Sequence, residues 1–255
     1  MIALPARAVI RLCRRGRSDL APTNRLGLAL LAAATTLAAL LALDEYADSL
    51  LAAHMLQHML IGDLVPLLLV LAVRGPVHAH LMPAPVVRAA RRLRLHRLFG
   101  FVTRPGPAFV VWAGSLAVWH VPAVYDDALA DEHLHALEHA CFLVGGLLVW
   151  SVLLDPARRR LLPGWRRVGY AVALLAASGV LANVLVLSYR PLYPAYDEAA
   201  ARPLALTPLH DQDLAALVMM LEQLVTLGTF AAFAARSELR RPAPAPPVGR
   251  HPLAI

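Results

Sequence analysis

Ser49–Val73 reads SLLAAHMLQHMLIGDLVPLLLVLAV, a run with one carboxylate and no arginine, closed by Arg74. Crossing a hydrocarbon core of about 30 Å takes about 20 residues of helix, and this run is longer than that. With no water at that depth to satisfy a loose backbone, and no period-two alternation to suggest a strand, helix is the state left to it. Five further runs share its character: Leu26–Leu43, Gly106–Val121, about His135–Leu154, Val168–Tyr189 and about Asp213–Ala235. The sequence therefore predicts an all-α, polytopic membrane helix bundle of about six transmembrane helices. Residues 1–25 form a basic segment, 26–235 the membrane domain, and 236–255, with PAPAPP, a proline-rich tail expected to be disordered.

The 24 basic residues are all arginine, and 22 of them fall in four alternate segments: the N-terminal stretch, the second-to-third loop, the fourth-to-fifth loop and the tail. Only Arg190 and Arg202 lie in the segments between. Because basic residues in short loops are retained on the cytoplasmic side, both termini are expected to be cytoplasmic. The formal charge of +7 is thus explained as a topology signal and as attraction to anionic lipid, and nucleic acid is not an expected partner. Pro85–Phe101, PVVRAARRLRLHRLFGF, reads as a basic amphipathic helix on the inner surface. The first helix is read as an uncleaved anchor, since arginines break the short apolar stretch before it. Two cysteines, Cys13 and Cys141, fall far apart in this topology and make no CxxC metal or redox motif.

The same division places seven of the 11 histidines at the outer helix ends. HMLQH sets His54 and His58 four residues apart, on one helical face. HLHALEH gives His135 and His139 the same spacing, with His133 just before and Glu138 one step round; His120 closes the third run in WHVP. For His133 and His210, in loop sequence, an interfacial role is the better reading. Two i,i+4 pairs plus His120 on one side form a candidate metal site, to which Asp211 at the mouth of the sixth helix is added. Imidazole and carboxylate suit copper, zinc or iron, and thioethers from Met55 and Met59 would favour cuprous copper, although methionines in apolar helices more often pack.

Deeper in the membrane lie Asp63 and Glu222, whose charged forms are costly there. At 100° per residue Asp63 falls off the histidine face. Glu222 shares a stripe with Met219 and Asp211, which could carry protons or ions inward, or Glu222 could bond Asn183 of the neighbouring helix.

HMLQHMLIGDLVPLLLVLA, WHVPAVYDDALADEHLHALEHACFLVGGLLVW, SYRPLYPAYDEAA and LTPLHDQDLAALVMM together resemble the CtaG-like membrane proteins associated with assembly of caa-type cytochrome c oxidase, over about Leu50–Met220. The resemblance implies a bacterial plasma (inner) membrane protein, not an enzyme, that assists oxidase maturation. Its implied partners are the oxidase subunits, the lipid bilayer and copper destined for the oxidase centres. By match of motif it implies that His54, His58, His120, His135 and His139 form the polar core at the outer face. At His210 the chain departs from the acidic residue more usual in the family pattern. Three other readings are carried beside it. The first is a membrane-embedded hydrolase using the H-x-x-E-H signature of His135–His139, with zinc and Glu138 as water activator. The others are a bis-histidine haem protein and a copper transporter.

Overall fold

The computed structural model describes residues 23–73, 88, 92–196 and 205–241, and its regular structure is helical throughout these residues. In chain order the helices are α1 (Thr23–Ala42), α2 (Asp44–Ala47), α3 (Leu51–Ala72), α4 (Leu95–Val102), α5 (Pro105–Trp119), α6 (Pro122–Ala130), α7 (Glu132–Leu154), α8 (Trp165–Val186) and α9 (Pro208–Leu239). Helices α1, α3, α7, α8 and α9 are each long and apolar enough to cross a bilayer, and α5 with α6 makes a sixth candidate bent by 77°.

That bend falls on the WHVP motif. His120 ends α5, Val121 is extended at ψ 123°, and Pro122 opens α6. Proline disfavours helix at the residue before it and is well suited to a first helical position, so the break is written in the sequence. The third expected span is accordingly short: 15 residues of α5 rise only about 22 Å. Two short helices, α2 and α6, occupy stretches expected to be loop, and α9 starts and ends outside its expected bounds because Pro208 with the Thr207 cap opens it early. Thr207 accepts from the His210 amide at 3.2 Å, and Asp131 likewise caps α7, accepting from the amides of His133 and Leu134 at 2.8 and 3.1 Å. Those two amides hold the exposed Asp131 carboxyl below its usual range.

Helix α3 is the centre of the bundle, packed against α1, α7 and α9, while α8 lies along α9 and α5 along α7. Its approach to α7 depends on glycine. A Cβ added at Gly146 would overlap the Gly62 carbonyl oxygen and fall 2.7 Å from Pro66 Cγ, so the two backbones meet with no room for a side chain. One apolar cluster, with Trp112, Phe142, Trp150 and Leu174, runs along this contact; a second, with Leu51, Met55, Tyr125 and Met219, lies toward the histidine-bearing end. Both α3 and α9 contain a π-turn, at Leu60–Leu64 and Leu224–Gly228.

Helix α4 covers the end of the expected amphipathic stretch, and its Leu98, Phe99 and Phe101 are exposed. The rest of that stretch lies largely outside the described residues, as do Cys13, the basic segment before Thr23 and the tail after Arg241.

Candidate metal centre

His54 and His58 project from α3, and His135 and His139 from α7, into one space between the two helices. The i,i+4 spacing puts each pair on one face, and the glycine contact a turn or two further on brings those faces together. One ring nitrogen from each of the four lies within 4.8 Å of the others. His54 Nε2 is 2.8 Å from His58 Nε2, and the ring centres are 4.9 Å apart for His54 and His135, 5.1 Å for His58 and His139, and 4.3 Å for His135 and His139. Rings this close, tilted or edge to face, leave no slot for a porphyrin between them.

The bonding around the cluster fixes which nitrogens face inward. The Tyr196 hydroxyl donates to the Ala47 carbonyl at 2.9 Å, an oxygen that can only accept. Its one proton being spent there, the contact of 2.9 Å to His54 Nδ1 is an N–H donating to the phenol oxygen, which leaves the Nε2 lone pair pointing at the other imidazoles. Tyr125 adds its hydroxyl at 3.2 Å from that of Tyr196. Burial pushes the Tyr196 and Tyr193 phenols far above their ordinary range, so both remain hydroxyls. His135 Nε2 and His139 Nε2 on the facing helix, and His58 Nδ1 on α3, are buried without a hydrogen-bond partner. Orphaned imidazole nitrogens beside a lone pair set inward are what a bound cation would satisfy, and the donor set fits copper or zinc.

Glu138 belongs to the same neighbourhood. Its side chain is 1% exposed, Oε2 stands 3.7 Å from His58 Nε2, and neither oxygen has a hydrogen-bond donor.

The other expected site residues are placed differently. His120 is buried at the end of α5, donates from Nδ1 to the Leu116 carbonyl at 2.8 Å and leaves Nε2 without a partner; its ring is 6.1 Å from that of Phe142, beside the four-histidine group and not within it. Asp211 is taken up elsewhere: its two oxygens accept from the amides of Leu51 and Ala52 at 2.8 and 3.0 Å, capping the start of α3. Asp211, expected as a ligand, is thus placed at the start of α3, outside the four-histidine group. His133 and His210 are exposed. Met55 and Met59 are buried in the apolar cluster around Leu51 and Tyr125.

Asp63 lies away from the histidines, as its angle predicts. It accepts from Trp150 Nε1 at 2.5 Å and from the Thr226 hydroxyl at 2.5 Å, in the layer of the two π-turns, and the Glu222 carboxyl faces it. The expected bond from Glu222 to Asn183 is not formed, since Asn183 is exposed and donates to the Gly179 carbonyl at 2.7 Å. Sequence reasoning missed Tyr196 and Tyr125. Both sit in the motif-bearing stretches SYRPLYPAYDEAA and WHVPAVYDD, but loop tyrosines carry no periodicity that would aim them at α3.

Residues 4–241 match the family described as "Cytochrome c oxidase caa3 assembly factor". Two curated relatives, an uncharacterised protein of Mycobacterium bovis and one of Mycobacterium tuberculosis, are each 32% identical over 142 residues. The matched region covers 51% of this chain and 21% of each relative, so the likeness spans about a fifth of their length. No solved structure matches the chain.

Proposed function

Because the chain belongs to the cytochrome c oxidase caa3 assembly factor family, we propose that it serves maturation of a bacterial oxidase by holding copper at the outer face of the plasma membrane. The observation that carries this reading is the convergence of His54, His58, His135 and His139, two helical pairs whose ring nitrogens meet within 4.8 Å. Imidazole donors suit cuprous or cupric copper and equally zinc. These imidazoles would hold the ion through their inward lone pairs, with the Glu138 carboxyl beside them, 3.7 Å from His58 Nε2, to balance its charge. His120 offers one more buried nitrogen adjacent to the group. The chain's own residues orient and shield: Tyr196 sets the His54 tautomer, and Phe142, Tyr125 and Met55 exclude water.

An assembly-factor family implies a non-enzymatic role, and the hydrolase alternative is answered by its own glutamate. If Glu138 activates water, Glu138→Gln abolishes function with metal content intact. If it balances the charge of a held ion, metal retention falls with it.

The deciding experiment is metal analysis of the purified full-length membrane protein after loading with cuprous or zinc ion. Stoichiometric binding is expected for the parent chain, lost when all four histidines are replaced by alanine. Equal metal content in both proteins would remove the metal-handling reading and leave only the assembly role given by the family.

A further inference from the structure

At the end of the bundle opposite the histidines, a cavity of about 1080 Å³ opens between α3, α7 and α9. Its walls are apolar, with Leu67, Leu71, Leu153, Phe230 and Phe233 among them, and its deep end is formed by Trp150 and Thr226. Both of those residues have a polar hydrogen, and both spend it on Asp63. The interior therefore has little to offer a polar solute. The mouth is the reverse: Arg158, Arg160, Arg167 and Arg241 surround it with two carboxylates, Asp155 and Glu238.

Neither carboxylate neutralises the first three arginines. Asp155 uses its oxygens on the backbone amides of Arg159 and Arg160 at 2.9 and 2.6 Å, and Glu238 pairs with Arg241 at 2.7 Å. Among the described residues no carboxylate pairs Arg158, Arg160 or Arg167, and Arg167 Nε is buried without a partner. The loop bearing Arg158 and Arg160 is also built rather than slack. Asp155, Arg158 and Arg160 all sit at positive φ, 43°, 55° and 56°, a conformation costly for side chains other than glycine, and the Asp155 carboxylate clamps it from within. A topology signal requires only that arginines be present on this side, with no folded loop and no cavity behind them.

A cationic rim over a long apolar slot is complementary to an amphiphile with an anionic head. A free phosphate would leave the slot empty, a cation would meet the arginines, and a volume at or above the usual ligand range of about 300–1,000 Å³ leaves space for a chain. The geometry points to a binding site for one anionic phospholipid, its phosphate among Arg158, Arg160 and Arg167 and an acyl chain running between α3, α7 and α9 toward Trp150. Basic pockets between transmembrane helices on the arginine-rich side bind lipid heads in this way. The site is separate from the histidine cluster and does not rest on the copper reading.

The test uses the full-length protein in phosphatidylcholine nanodiscs, titrated with phosphatidylglycerol and read by native mass spectrometry. One phosphatidylglycerol per chain should be retained, without comparable retention of phosphatidylcholine or inorganic phosphate. Arg158→Ala with Arg160→Ala should weaken retention about 25-fold, at about fivefold for each arginine near an anionic head. Thr229→Trp fills the slot while leaving every arginine in place, and should also abolish retention; circular dichroism and monodispersity establish that both variants fold. Retention of phosphatidylcholine as strong as that of phosphatidylglycerol overturns the proposal. So does binding that survives Thr229→Trp, which would reduce the rim to surface attraction for anions.

Discussion

The Tyr196 hydroxyl stands 2.9 Å from His54 Nδ1 while giving its proton to the Ala47 carbonyl, so a residue 142 positions away decides which nitrogen of His54 faces the cluster. Outer bonds of this kind orient ligating imidazoles, and their loss costs about 10- to 100-fold in metal affinity. Tyr196→Phe should therefore weaken metal binding by about that factor while leaving stoichiometry and helix content unchanged. Competition titration against a chelator measures it; unaltered affinity would show that the tautomer is set some other way.

Asp211 makes an opposite prediction. Both of its oxygens cap the first amides of α3, and loss of a helix cap costs about 0.5–2 kcal/mol. Asp211→Ala should lower thermal stability in detergent by about that amount, Asp211→Asn by less, with metal content per folded chain unchanged. Loss of metal without loss of stability would return Asp211 to the ligand set.

The long helices were legible because a bilayer imposes a length and a composition on each, and the paired histidines because i,i+4 spacing is a face. The break after His120 was equally on the page in WHVP, where Pro122 forbids the continuation that apolarity alone suggests. What could not be read was which distant groups meet. Asp211 looked like a ligand from its place at a helix mouth, yet its partner is the backbone of α3, an assignment no local pattern carries. Asp63 and Glu222 are 159 residues apart in sequence, and only the packing of α3 on α9 sets one against the other.

Gly146 tests the packing that brings the histidine faces together. A methyl group there would meet the Gly62 carbonyl and Pro66, which are backbone and ring and cannot move aside. Gly146→Ala should separate α3 from α7, costing at least the ~1–3 kcal/mol of overpacking and weakening metal binding in parallel. Gly179→Ala, where a Cβ meets nothing within 4 Å, is the control and should change neither. Equal melting temperatures for the two variants would show the contact to be looser than described.

Orientation is open to reporter fusions. The arginine distribution predicts that a fusion after Ala47 reports the outside and one after Ala245 the cytoplasm. An external tail would invert the bundle, putting the four histidines on the cytoplasmic side and removing the route by which they could meet an oxidase centre assembled from outside.

The role in maturation is tested in the cell. If copper passes through the cluster, deletion of this protein should leave oxidase polypeptides made but copper-poor, and His58→Ala combined with His139→Ala should copy the deletion, since it removes one ligand from each helix and leaves a two-imidazole remnant. Excess external copper should restore part of the activity in both strains, because a delivery step can be bypassed by mass action whereas a missing scaffold cannot. His210→Ala should be mild, its side chain being exposed and apart from the four-histidine group. Oxidase copper measured per assembled complex separates the outcomes. Normal copper in the double variant, together with an assembly defect in the deletion, would assign the protein to holding oxidase subunits in place and leave the histidines as packing between α3 and α7.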